Sequence, residues 1–328
     1  MKNLYAVLFG LAIVIVFIGF FELFIRMVHP EIKTLVTNRD LIKVNAYYDS
    51  NGLKPSSEGI SHGVLIKTDK MGFRLTYAKS DTSLSNWLYL GDSVTMGIGV
   101  STDHTFAYLT DKRLKKIKIR NAGVIGHSTH DYVNAARYFS DKTNVSRISI
   151  FYCLNYVYSS YKEQAIPGNQ VREIGGGILN FIKLNFRLYD VLKANLFDRP
   201  ASYFEFVNQY YEENNSIYLS AINDIRSIIE FCENKNIGLD IILMPYEYQL
   251  RKYQEDSIFE PQQLIRHNLR SENISVYDCS DFFIKRGYKS RDLYLYGDGI
   301  HFSEYGHQLM QEFIFNVVLE ESDLKKII

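Results

Sequence analysis

Residues 4–21 contain no charged side chain, and Glu22 is followed by further apolar residues before Arg26. At about 1.5 Å of rise per residue, roughly 20 apolar residues cross the core of a bilayer. Residues 4–25 therefore predict a single membrane-spanning helix and a first segment, 1–29, that acts as an anchor. A cleaved signal peptide is the rival reading. Its apolar region is normally shorter, and no small-x-small cleavage site precedes residues 22–30.

Beyond the anchor the pattern changes. Residues 30–85 carry polar, turn-forming clusters (Asp49-Ser50-Asn51-Gly52, Pro55-Ser56-Ser57, Ser80-Asp81) and read as a stalk followed by an N-terminal extension of a folded domain. From residue 86 to 328 short apolar runs alternate with helical periodicity. Trp87-Leu88-Tyr89-Leu90 stops abruptly at Gly91, and Ile117-Lys118-Ile119-Arg120 alternates and ends at Asn121-Ala122-Gly123. Residues 148–154, ending at Asn155, 237–244 and 274–277 supply three more strands. Between them, Tyr218, Ala221, Ile222, Ile225, Ile228, Ile229 and Cys232 recur at helical spacing. Near the end Leu309, Phe313 and Val317 repeat every four residues, with Met310, Ile314 and Val318 beside them.

Strands alternating with helices predict an α/β domain whose parallel sheet is covered on both faces. In such sheets ligands bind beyond the carboxyl ends of the strands, which is where the chemically suggestive residues fall. Residues 156–215 interrupt the alternation with Gly175-Gly176-Gly177 and a helix carrying Leu184, Leu188, Val191 and Leu192 on one face. This reads as a packed insertion, with a lid or a membrane-leaning helix as the alternatives.

Composition adds exclusions. With 328 residues, 46% hydrophobic and 23% charged, the chain is an ordinary folded protein long enough for one large core or two domains. Lys+Arg and Asp+Glu are both 37 with no basic block, so nothing electrostatic points to nucleic acid as a partner. The 25 Tyr and 21 Phe suit an aromatic-rich core first and a sugar- or lipid-facing surface second. Cys153, Cys232 and Cys279 lack CxxC spacing and read as free buried thiols.

Two short motifs carry candidate chemistry. Gly91-Asp92-Ser93-Val94 directly follows the first strand, where a glycine permits the tight exit that an exposed nucleophilic serine needs. Tyr296-Gly297-Asp298-Gly299-Ile300-His301 precedes the last helix. Histidine removes a serine proton near neutral pH, and a carboxylate on its other nitrogen fixes the tautomer. Each motif alone also reads as a plain turn or helix cap. Gly126, after the second strand, and Asn155, after the third, offer a backbone N–H and an amide donor for an oxyanion, against the plain readings of turn glycine and strand-end asparagine. A metal site built from His301 and His307, or from His127, His130 and Asp131, is the alternative, but none shows a recognised ligand spacing. No metal and no organic cofactor is expected.

Taken in order, Ser in Gly-Asp-Ser, then Gly, then Asn, then Asp-x-x-His, the chain resembles the SGNH, or GDSL, hydrolases over about residues 86–320. That resemblance implies a flavodoxin-like three-layer α/β/α fold with a parallel five-stranded sheet. It implies Ser93 as nucleophile, His301 as base, Asp298 as its orienting partner, and an oxyanion hole from Ser93, Gly126 and Asn155. Thr68-Asp69-Lys70-Met71-Gly72-Phe73-Arg74 also looks like bacterial membrane-anchored members of this group, many of which handle acyl groups on envelope glycans or lipids. Three departures stand out. Val94 replaces the usual Leu, Cys153 and Tyr156 occupy the outer positions of the usual Gly-x-Asn-Asp, and Gly123 competes with Gly126. The missing aspartate bears on how Asn155 is held.

The expected activity is that of a serine esterase acting on an acyl ester of a glycan or lipid. An O-acyltransferase with a sugar acceptor and an idle, anchored binding module remain as alternatives. Arg26, Lys33, Arg39 and Lys43 follow the span and only Lys2 and the α-amino group precede it, which taken literally keeps the domain cytoplasmic. Long domains often translocate regardless, and the family resemblance favours an extracytoplasmic domain.

Overall fold

The computed structural model describes residues 2–32, 39–79, 84–157, 177, 181–182, 185–270, 272 and 274–321. Lys33, Ser80-Asp81, Gly175-Gly176 and Leu184 lie outside the described residues.

The apolar runs of the sequence become one sheet. Two small hairpins come first, β1 (Ile42–Tyr47) with β2 (Ser50–Leu53) and β3 (Glu58–Ser61) with β4 (Val64–Lys67). The sheet follows, from β5 (Ser85–Leu90), β6 (Ile117–Asn121), β7 (Val145–Cys153), β8 (Gly238–Met244) and β9 (Ser275–Asp278). Its order is β6-β5-β7-β8-β9 with every pair parallel, the flavodoxin-like arrangement whose order reverses beside the first strand. Strand chemistry tracks position. Residues 148–153 of central β7 are all buried, so an unbroken apolar run is what the site demands. Edge strand β6 instead alternates buried and half-buried residues.

The main helices among the described residues are α1 (Lys2–Val28), α2 (Ser93–Met96), α3 (Phe106–Arg113), α4 (Thr129–Lys142), α5 (Arg187–Leu196), α6 (Arg199–Asn208), α7 (Ser216–Lys235), α8 (Glu247–Arg251), α9 (Glu260–Asn268), α10 (Ser280–Lys285) and α11 (Glu304–Phe313). α7 packs against α4, and α11 against α3, to form the layers over the sheet. The predicted face of α7 is fully buried, from Tyr218 to Cys232, and each such Ile contributes about 1.5–3 kcal/mol by leaving water. Asn215 caps its start and Asn236, at φ 58°, ends it in the left-handed region. After α11 a π-turn over Ile314–Val318 shifts the register. Ile314, Phe315 and Val318 are then buried, whereas Val317 is only partly so.

α1 is long and apolar enough, over Asn3–Val28, to cross a membrane: an 18-residue window of it has mean hydropathy 2.8 and none of that window is buried inside the protein, whereas Glu22 and Ile25 near its end are buried. Residues 39–79 are packed rather than extended. Tyr47 sits 4.9 and 4.8 Å from the rings of Tyr138 and Phe139 on α4. In the region of 156–215, α6 packs inward through Phe204 and Val207, while α5 buries no residue.

Candidate active site

The first functional side chain is set by a strand-to-helix turn at the end of β5. Asp92 caps α2, its Oδ1 accepting from Val94 N–H at 2.6 Å, and Gly97 closes the turn at φ 79°. A Cβ on Gly91 would meet Thr95 Oγ1 at 1.9 Å, so strand and helix approach too closely for any side chain there. Ser93 emerges at the first position of α2, and its Oγ is 2.8 Å from His301 Nε2. His301 Nδ1 is in turn 2.7 Å from Asp298 Oδ1, which also accepts the backbone N–H of His301 at 2.8 Å and of Ile300 at 3.1 Å. Two loops separated by 208 residues thus meet in one hydrogen-bonded chain.

The electrostatics follow from burial and charge. Burial alone would raise the Asp298 carboxyl. The His301 charge and hydrogen bond, with Arg199 behind, outweigh it and hold the carboxyl well below the usual carboxylate range. Arg199 Nη2 stands 3.7 Å from Asp298 Oδ2, the oxygen that faces away from the imidazole. For His301, burial lowers the pKa but Asp298 raises it more, so the imidazole titrates above its ordinary 6.5.

At the end of β7, Asn155 Nδ2 donates to Asp92 Oδ2 at 3.1 Å, and Asn155 Oδ1 accepts from the Tyr246 hydroxyl at 3.3 Å. The residue after it, Tyr156, is buried and its hydroxyl oxygen accepts the Asp92 N–H at 3.0 Å. Asp92, Tyr156 and Tyr246 therefore hold the strand exit where the sequence lacks the aspartate of the usual third block. The amide of Asn155 keeps a second N–H beyond the one given to Asp92. The two glycines of the second block differ in kind. A Cβ on Gly123 would stand 2.3 Å from Met96 N and 2.9 Å from Asp92 O, so Gly123 is demanded by contact with the serine turn. Gly126 has open space above it and a φ of 80°, so only its backbone conformation favours glycine.

Several contributors lie outside the candidate catalytic and oxyanion residues. Arg74, from the Thr68–Arg74 bridge that follows the hairpins, is fully buried. Its guanidinium donates to the carbonyls of Met96, Gly97 and Val100, which holds the far end of the serine turn. His62, at the β3–β4 tip with φ 50°, lies 5.8 Å ring to ring from His301. Burial, then the charge of His301, pushes its pKa down to about 4, so it is neutral at physiological pH. Of the histidines weighed as metal ligands, His127 Nε2 bonds the Asn51 carbonyl at 2.8 Å and His130 faces Asp49 at 3.3 Å. Neutral His307, its pKa pushed down to about 3 chiefly by burial, accepts the Phe106 N–H at 3.2 Å. Among the described residues no group of three or more His, Cys, Asp or Glu is arranged to hold a metal. All three cysteines are buried free thiols.

No family model matches the chain, and no curated protein matches it. Solved structures do. The chain is 13% identical to a structure of TesA, over 72% of this chain and 99% of that one, with a TM-score of 0.44. It is also 13% identical to a member of the lipolytic G-D-S-L family from Veillonella parvula, over 71% and 97%, with a TM-score of 0.42. A lipase/acylhydrolase from Enterococcus faecalis is 15% identical over 74% and 99%, with a TM-score of 0.43.

Proposed function

We propose that this chain is a membrane-anchored serine esterase of the SGNH type. The observation that carries the reading is the continuous Ser93–His301–Asp298 chain, at 2.8 and 2.7 Å, at the switch point of a parallel sheet. His301 Nε2 takes the Ser93 hydroxyl proton as Oγ attacks an ester carbonyl. The oxyanion is held by the N–H groups of Ser93 and Gly126 and by the Asn155 amide. Collapse expels the alcohol, which takes the proton back from His301, and leaves an acyl-serine. A second nucleophile, water or a sugar hydroxyl, then gives its proton to His301 as it attacks the acyl-serine, and collapse breaks the acyl–Oγ bond, His301 returning that proton to Ser93 Oγ as the acid or new ester leaves. Asp298 keeps Nδ1 protonated and stabilises the imidazolium that appears in each half.

The anchor is read as retained. Glu22 accepts the N–H groups of Arg187 and Leu188 at 3.1 and 2.9 Å, contacts that cleavage anywhere after residue 22 would remove. By the family resemblance, the domain lies outside the cytoplasm and the substrate is an acyl ester of an envelope glycan or lipid.

The test is labelling of the full-length protein in detergent with a fluorophosphonate. Wild type labels, and Ser93→Ala and His301→Ala do not. A well-folded wild type that stays unlabelled would overturn the reading in favour of an idle binding module. Product analysis with and without added sugar then separates hydrolysis from transfer.

A further inference from the structure

The seat of α5 relative to the anchor and the triad loop goes beyond the reaction itself. Glu22, one of the few charged residues of α1, is buried. Its carboxylate accepts the first free N–H groups of α5, from Arg187 at 3.1 Å and Leu188 at 2.9 Å, and the Arg26 guanidinium at 2.6 Å. A charge in the bilayer core is costly, so this cluster belongs at the membrane boundary. α5 therefore starts at that boundary.

Ten residues later, about 15 Å along the axis, α5 ends against the triad loop. A Cβ on Gly297 would meet Ala194 Cβ of α5 at 2.8 Å, and one on Gly299 would meet Pro200, at the start of the next helix, α6, at 2.5 Å. Asn195 Nδ2 reaches the Tyr296 hydroxyl at 3.4 Å. One helix thus connects the end of the anchor to the loop that carries Asp298 and His301.

That helix buries none of its residues. Leu192 and Leu196, four apart and so on one face, are 52% and 72% exposed, and the following Phe197 is 67% exposed. Large apolar side chains left bare on a helix bonded to a membrane span have one occupant continuous with that span, the lipid surface itself.

We propose that α5 lies in the membrane interface through Leu192, Leu196 and Phe197, and that the ester reaching Ser93 is resident in the bilayer. The acyl chain would leave the leaflet alongside α5 and meet Ser93 without crossing bulk water. This rests on the serine-esterase reading above, and the experiment keeps the two apart.

The full-length protein is reconstituted into phosphatidylcholine vesicles containing phosphatidylglycerol. The native thiols are buried, so a Leu196→Cys variant takes an environment-sensitive fluorophore at that site alone. Brominated lipids are expected to quench it, and an unquenched label overturns the interfacial seat of α5. In parallel, Leu192→Ser/Leu196→Ser/Phe197→Ser is compared with wild type on methylumbelliferyl palmitate dissolved in the vesicles and on p-nitrophenyl acetate in solution. The rate on the palmitate is expected to fall about tenfold or more, through lost apolar contact with lipid, with the acetate rate unchanged. Equal rates for variant and wild type, or equal losses on both esters, overturn bilayer delivery. A wild type that turns over neither ester and resists fluorophosphonate sinks the serine-esterase reading instead, and the label at position 196 still decides where α5 sits.

Discussion

Replacing Asp298 with asparagine separates charge from shape at the centre of the proposed mechanism. The asparagine oxygen can still accept from His301 Nδ1 and from the backbone N–H groups of Ile300 and His301, so the loop keeps its hydrogen bonds. What disappears is the negative charge beside an imidazolium that forms only as Ser93 gives up its proton. Two unit charges about 4 Å apart attract by about 4 kcal/mol in a site of effective dielectric roughly 20. Removing that attraction from the transition state alone lowers kcat about a thousandfold, with KM little changed. A second signature comes from pH. In the wild type Asp298 is what lifts His301 above 6.5 against the effect of burial. Activity, which needs the neutral imidazole, should therefore rise through a midpoint above 6.5, and in Asp298→Asn that midpoint moves to lower pH. The assay is hydrolysis of p-nitrophenyl acetate by the full-length protein from pH 5 to 9, with Ser93→Ala as baseline. A loss of less than tenfold together with an unmoved midpoint would refute both the electrostatic role of Asp298 and the base role of His301.

Asn155→Ala removes one oxyanion donor and should lower kcat about a hundredfold or more, whereas Tyr246→Phe, which removes the hydroxyl that steadies Asn155, should lower it less; steady-state kinetics on the two variants checks the order. Gly123→Ala, whose Cβ would press on the backbone of the serine turn at 2.3 Å, should leave little folded protein, while Gly126→Ala should fold with a loss of about 1–2 kcal/mol from its positive φ; denaturant titration distinguishes them. Acid should destabilise the fold through Asp298. Its folded pKa lies below the ordinary 3.8, so its contribution is present above that value and is lost as pH falls beneath it. His301 acts in the opposite sense, stabilising below 6.5 and losing that contribution as pH rises through its higher folded value. Unfolding midpoints from pH 3 to 9 should therefore drop at the acid end in wild type and drop less in Asp298→Asn.

The strands and the α7 face were legible because burial there is periodic or unbroken, and Ser93, Asn155 and His301 because each follows a predicted strand or precedes a predicted helix. Other contributors left no such trace. Tyr246 and Tyr156 are single aromatics whose hydroxyls work across the sheet end, and neither spacing nor composition marks a hydroxyl that reaches Asn155 or Asp92. His62 and Arg199 reach the site only through the fold of a hairpin tip and of a helix start. Of the helix face read from the sequence, Leu188 and Val191 are half-buried but Leu192 is exposed, and the neighbouring exposed Leu196 and Phe197 were not part of that face. Within the last helix, a π-turn carries burial onto Phe315, a shift that a strict four-residue repeat does not anticipate.

The fully buried guanidinium of Arg74 has a consequence for modularity. By its pattern the sheet domain begins at residue 86, and a fragment cut there would keep all five strands of the parallel sheet but for Ser85 at the start of β5, every sheet-covering helix and all of Ser93, Asn155, Asp298 and His301. It would also leave the carbonyls of Met96, Gly97 and Val100 facing an empty socket, with the turn that carries Ser93 held by Asn121 at Thr95 but no longer by Arg74 at its far end. The unit that positions Ser93 is therefore larger than the unit of topology. Recombination, truncation or grafting that respects the sheet but not the segment after the two hairpins would carry over the fold without the guanidinium that fixes the turn beneath Ser93.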